Sequence, residues 1–359
     1  MKYLSSVIIN APVCIAIFGF FLLKSTLAGT TYYVAAEGSD SNNGTSEATP
    51  LRTIQKAFNT VSAGDTVLIH GGTYRPSAEL FLKTDGTAET PIIIDTYNTS
   101  TEPVVIKGSD LMDSGWSRVP DNPNSQTSTY TKNIWKRKID DFPSSYPRYT
   151  QQAFIHFTSN FASDEDGHPL SQVGPINPTF ISTQDPNSIR LISKTIFDDT
   201  APGNTASGIP YAGSFYYYWG QDYNEDSPNT VTNPQGFDKG YLYIRLHDFQ
   251  PTDFDPSAFD PNIDYSSGAS DTGSIEVSVR NWVILPKASH QAGEPHREYY
   301  EFHNLQFKHN NSSRSLIKLG SGGHLIITGP NSLVKNCVFA WGDHTGMALG
   351  FNSIAENCV

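Results

Sequence analysis

The chain has 359 residues, a formal charge of -12 at pH 7 and only three cysteines. That acidity argues against a nucleic-acid partner, whose phosphates need clustered Lys and Arg, and three cysteines are too few for a disulfide-stapled scaffold. With 28 Gly, 23 Pro and 12% aromatic residues, the composition is that of a turn-rich strand protein with ample length for a large core.

The first element in chain order is a leader. Lys2 precedes an apolar run from Val7 to Leu23, and Ser25-Thr26-Leu27-Ala28 supplies small residues for cleavage. This is a secretory layout, and it predicts that residues 1–28 are a signal peptide. The mature protein is then secreted or held in the cell envelope (periplasmic or extracellular), with no membrane association after cleavage.

Residues 31–36 read as a strand, and a Gly/Ser/Asp/Asn-rich loop follows to Pro50. Ile54, Ala57, Phe58 and Val61 recur at helical spacing, so residues 52–61 are predicted to form a short amphipathic helix. Strands follow at 66–70, 71–74, 91–95 and 103–106. Their continuous β-branched runs suit parallel strands buried on both faces, and the intervals are too short for helical crossovers.

From residue 110 to about 290 the chain turns polar, and a structureless loop of that length is implausible in a compact fold. Alternating strands at 241–246 and 274–279 point to an inserted, mainly antiparallel β-rich domain. Its aromatic block, Phe215-Tyr216-Tyr217-Tyr218-Trp219, makes Trp219 a candidate for stacking on a sugar ring.

A repeat marks the remainder. Asn331-Ser332-Leu333-Val334-Lys335-Asn336-Cys337-Val338 recurs as Asn352-Ser353-Ile354-Ala355-Glu356-Asn357-Cys358-Val359, a period of 21 residues. A period of this length, without helix, means one solenoid coil per repeat. Stacking predicts inward columns at Leu333/Ile354 and Val338/Val359 and an asparagine ladder at Asn336/Asn357. It also predicts aligned free thiols at Cys337/Cys358 and an ion pair between Lys335 and Glu356. The sequence stops in mid-coil at Val359, and the expectation is a piece of a longer protein.

Few groups in the repeats suit acid–base or nucleophilic chemistry. Asp343 and His344 sit in the turn Trp341-Gly342-Asp343-His344-Thr345-Gly346. With Glu356 they are the candidate catalytic residues, and Trp341 joins Trp219 as a candidate substrate contact. His290, His296, His303 and His309 match no metal-ligand spacing, so no metal site is assigned. His303 and His309 would share a strand face only if no bulge intervenes.

The opening Thr31-Tyr-Tyr-Val-Ala-Ala, with Pro50-Leu-Arg-Thr-Ile-Gln-Lys-Ala57 and Ala63-Gly-Asp-Thr-Val-Leu-Ile-His-Gly-Gly-Thr-Tyr74, resembles the pectin-lyase-like right-handed parallel β-helix superfamily. With Lys239-Gly240-Tyr-Leu-Tyr-Ile-Arg245 near the end of an insert, it is similar within that superfamily to xylosidase-like β-helix glycoside hydrolases. The resemblance implies an all-β solenoid with an N-terminal capping helix and an inserted β-rich domain. The division it implies is 1–28 leader, 29–109 cap and first coils, 110–290 insert, and 291–359 further coils. It implies a glycoside hydrolase acting on a polysaccharide or oligosaccharide, without a cofactor, whose catalytic carboxylates lie on later coils. A pectate-like lyase using calcium, or a non-catalytic glycan-binding or adhesin β-helix, stays open beside it.

Overall fold

The computed structural model describes residues 29–98, 102–112, 114–118, 134–139, 153–155, 168–169, 171–172, 213–218, 240–246, 275–287, 294–310, 324–342 and 345–359. The leader read at 1–28 lies outside them. Strand β1 (Thr31–Val34) precedes the helix α1 (Ile54–Phe58), and the first coil follows as β2 (Thr66–Ile69), β3 (Gly72–Tyr74) and β4 (Leu80–Phe81). The second coil opens with β5 (Ile92–Thr96) and β6 (Val104–Lys107).

The chain then leaves the solenoid through β7 (Ser109–Leu111), β8 (Trp116–Arg118), β9 (Ile134–Lys138), β10 (Ala153–Ile155), β11 (His168–Pro169) and β12 (Ser171–Gln172). It continues through β13 (Gly213–Tyr218) and β14 (Tyr241–Leu246), and returns along β15 (Ile275–Ser278). Strand β16 (Trp282–Leu285) completes the second coil. The third coil is β17 (Tyr300–His303), β18 (Leu305–Asn310) and β19 (His324–Ile327). The fourth is β20 (Leu333–Lys335), β21 (Val338–Gly342) and β22 (Thr345–Ala348), and β23 (Ile354–Glu356) begins a fifth.

Three parallel sheets result, in the orders β1-β2-β5-β17-β20-β23, β3-β6-β18-β21 and β4-β16-β19-β22. Each successive strand steps to the next sheet, so the chain winds as a parallel β-helix. Right-handed winding is the hand expected of such parallel crossovers. Return to the solenoid comes at β16, which pairs parallel with both β4 and β19. That is earlier than the boundary at 291 expected from the change in composition.

The core runs down the solenoid axis. Ile94, Phe302 and Val334 are fully buried and occupy equivalent coil positions, and Phe307 stacks on Phe339 with ring centroids 5.4 Å apart. At the first coil, α1 buries Ile54, Ala57 and Phe58 against this core. Its start is fixed by Thr53, whose hydroxyl accepts from the Lys56 amide, and by Asp40, which accepts from the Arg52 and Thr53 amides. Five residues are too few for independent helicity, so packing holds the helix.

The expected inward columns need correction. Leu333 and Ile354 share a register with Glu301 and Ile93 on the outer face, and the inward residue is Val334. Val338 pairs with Gln306, also outward, while Cys337 is fully buried. The reason is the corner between the first two sheets. Asn304 and Asn336 adopt φ of 58° and 54° there, and Asn357 51°, so side-chain alternation restarts after the bend. Their amides form the expected ladder, with Asn336 donating to Asn304 Oδ1 at 3.1 Å and Asn357 donating to Asn336 Oδ1 at 3.3 Å. Tyr299, Asn331 and Asn352 repeat the left-handed conformation at a second corner, and His309 and Trp341 at a third.

The excursion between β7 and β15 builds two further sheets, in the orders β11-β10-β15-β7 and β12-β13-β14-β9-β8. All their pairings are antiparallel except β12 with β13. Entry and exit are adjacent, because Ser109 pairs with Ser278. Among the described residues no helix is long and apolar enough to cross a membrane.

Candidate functional site

The seam where the antiparallel lobe meets the solenoid concentrates most of the buried charge. Strand β15 carries Glu276, a carboxylate inside an otherwise apolar run, onto the ends of β6 and β18. Lys107 Nζ lies 3.1 Å from Glu276 Oε2, and Arg75 Nη2 lies 3.0 Å from Oε1. The Ser109 hydroxyl donates to the same Oε1, and His309 Nδ1 lies 3.2 Å from it. The side chains of Glu276 and His309 are wholly excluded from solvent, whereas Arg75 retains 24% exposure. Arg280, also buried, binds Asp110 Oδ1 at 2.6 Å and the Ser109 carbonyl at 3.3 Å. Two cations facing one buried carboxylate hold it ionised, since desolvation would otherwise favour its neutral form.

Ser109, His309 and Glu276 are the residue types of a nucleophilic triad, but the geometry is not one. Ser109 Oγ and Glu276 Oε1 both meet Nδ1 of His309, each at 3.2 Å. A triad needs the acid on one ring nitrogen and the nucleophile on the other. Full burial also keeps substrate away. This interior is a positioning cluster that locks the lobe to the solenoid.

The rim of the seam is accessible. Phe154 of β10 stacks on His309 at 4.2 Å, and Trp341 stands edge-on to Phe154 at 5.5 Å and 75°. Trp341 is half-buried and has a left-handed φ of 55°. It pairs an apolar ring with open solvent. A partly exposed aromatic face of this kind suits a sugar ring, whose C–H face stacks on it.

Of the residues singled out from sequence, Trp341 thus falls at the seam. Asp343, His344 and Trp219 lie outside the described residues. Glu356 lies elsewhere, on the outer face of the first sheet, paired with Lys335 at 3.3 Å with both side chains more than 40% exposed. His303 and His309 do not share a face, because the Asn304 bend separates them. His303 ends β17 beside Glu301 (3.2 Å) and Asp95 (3.8 Å). His296 is exposed, and the desolvation it does meet, with Lys287 nearby, draws its pKa below the ordinary imidazole value.

Sequence reasoning missed Glu276, Lys107 and Arg75. A charged residue within Ile275-Glu276-Val277, a strand with both faces covered, was the available signal. Its partners stand 169 and 201 residues away, and no local pattern identifies them.

Fold and seam together define a parallel β-helix with a β lobe inserted in its second coil. Residues 32–136 match the family model of the Pel9A-like right-handed β-helix region. The chain is 36% identical over 92 residues to pectate lyase PEL9 of Emericella nidulans, covering 26% of this chain and 22% of that protein. It is 36% identical over 118 residues to the lacto-N-biosidase of Bifidobacterium longum subsp. longum, covering 30% of this chain and 7% of that protein. These alignments thus take in less than a quarter of either relative's length. Among solved structures, XylC in complex with xylose aligns with a TM-score of 0.45 at 17% identity, over 87% of this chain and 41% of that one. A glycoside hydrolase aligns with a TM-score of 0.45 at 14% identity, over 89% and 63%.

Proposed function

We propose that this is an exported carbohydrate-active protein that hydrolyses glycosidic bonds in a polysaccharide or oligosaccharide. One observation carries the reading: stretches of 92 and 118 residues are 36% identical to a pectate lyase and to a lacto-N-biosidase, two proteins named for action on carbohydrate. Hydrolysis is preferred to elimination because a chain of charge -12 repels polyanions over most of its surface and suits neutral sugars.

In this reading Trp341 stacks a sugar ring at the seam. Asp343, two residues further on, supplies a carboxyl, with His344 beside it. Glycoside hydrolysis needs a second carboxyl about 5 Å away for retention or about 6.5–9.5 Å for inversion. Glu356, the other carboxylate singled out from the repeats, is paired with Lys335 on the outer face of the first sheet and does not supply it at the seam.

A second reading is favoured by the Pel9A-like match itself: a lyase on an anionic glycan, with calcium neutralising the uronate. Arg75, which keeps part of its guanidinium in solvent, would be the cation at the seam open to such a substrate.

The test incubates the purified chain with aryl-xylosides, xylo-oligosaccharides, lacto-N-biosides and polygalacturonate, with and without calcium. The hydrolase reading expects calcium-independent reducing-sugar release from a neutral substrate, lowered about 100-fold or more in Asp343→Asn. Unsaturated uronides formed only with calcium would replace it with the lyase reading. Glycan binding without turnover would leave a binding protein, and neither binding nor turnover would remove all three.

A further inference from the structure

Away from the seam, at the corner that follows the first sheet, three rings gather. His70 follows β2 and Tyr97 follows β5, one coil apart, and their rings stack at 4.4 Å and 7°. Tyr33 of β1 meets Tyr97 edge-on at 5.6 Å and 69°. All three are half-exposed. The backbone beneath them is rigid: Tyr97 donates its amide to Ile69, His70 donates to Val34, and the Tyr74 hydroxyl donates to the His70 carbonyl. Tyr97 hydrogen-bonds Glu47, and that contact, with some burial and the carboxylate's charge, raises its pKa. Asp95 lies on the same outer face, in register with Leu68 and Tyr33.

A rigid, angular aromatic surface with carboxylates at its edge fits one ligand chemistry. The rings take the C–H face of a pyranose or furanose, and the carboxylates accept its hydroxyl protons. The same carboxylates repel uronates and phosphates. We infer that Tyr33, His70 and Tyr97 form a second glycan-contacting surface, outside the seam, that holds a neutral polysaccharide. The inference rests on the reading of this protein as carbohydrate-active. It adds that a long chain is gripped at a point remote from the bond being cleaved.

Native affinity gels cast with xylan, arabinan, galactan or polygalacturonate test it, run beside turnover of a short aryl-glycoside. The unsubstituted chain is expected to be retarded by at least one neutral polymer. Tyr97→Ala and Tyr33→Ala should each weaken that retardation about 3- to 10-fold, while Tyr97→Phe, which keeps the ring, preserves it. Aryl-glycoside turnover should not change in any of the three. Retardation of Tyr97→Ala and Tyr33→Ala as strong as that of the unsubstituted chain, retardation by polygalacturonate alone, or none by any polymer would overturn the inference. Loss of aryl-glycoside turnover in the unsubstituted chain would instead count against the hydrolase reading. Thermal melts identify a variant that fails to fold, and the remaining tyrosine variant then decides the matter.

Discussion

Glu276 gathers Lys107, Arg75, Ser109 and His309 around one carboxylate that solvent does not reach. Removing its charge takes from Lys107, itself 3% exposed, the buried carboxylate 3.1 Å away. Glu276→Gln is therefore expected to lower stability by about 3–5 kcal/mol in urea melts. The paired change Glu276→Leu with Lys107→Met should recover most of that loss, because an apolar pair has no charge to desolvate. Lys335 and Glu356 give the contrast. Both are exposed, and Glu356→Gln should shift stability by less than about 1 kcal/mol. A shift as large as that of Glu276→Gln would contradict the solvent-exposed placement of this pair.

At the level of elements, the corner asparagines set the geometry of the coils. Asn336 holds φ at 54° and links Asn304 to Asn357 through its side chain. A β-branched residue cannot adopt that conformation cheaply, so Asn336→Val should cost about 2–3 kcal/mol, combining left-handed strain with a lost ladder. Asn336→Gly keeps the permissive backbone and should cost only the ladder, about 1 kcal/mol. Equal losses in the two variants would show that conformation is not what the position selects. The same corners explain why core parity escaped the reading of strands: alternation counted through Asn336 assigns Val338 inward, whereas the bend delivers Cys337 there.

For the whole molecule, the solenoid axis buries ionisable groups that resist deprotonation. Burial pushes the Cys337 thiol up to about 12. It raises Tyr74 and Tyr300 as well, reinforced by nearby acids although Arg297 pulls Tyr300 the other way. Each of these pKa values is higher folded than unfolded. Their contribution is therefore complete below the ordinary values, 9.0 for the thiol and 10.0 for the tyrosines, and is lost as pH rises through the folded ones. Urea melts between neutral pH and about pH 11 should show stability falling by about 1.4 kcal/mol per pH unit for each group engaged. A flat profile would mean that these groups are hydrated. The lobe should behave as a separable unit, since it enters and leaves where Ser109 pairs with Ser278. Limited proteolysis is expected to cut between residues 112 and 275 while the coils persist, and faster in Glu276→Gln.

By itself the sequence determined the coil period, the capping helix, the asparagine ladder and the Lys335–Glu356 pair. Each depends on residues close in the chain or on a strict repeat, and stacking at a fixed spacing turns repetition directly into contact. Only the tertiary structure decided where the lobe rejoins the solenoid and which face Leu333 and Val334 present. It alone brought Arg75, Lys107, Glu276 and His309 to one point, and set Trp341 against Phe154. Those residues come from separate coils and from an excursion of well over a hundred residues. Their pairing is a property of how solenoid and lobe dock, and no local periodicity encodes it.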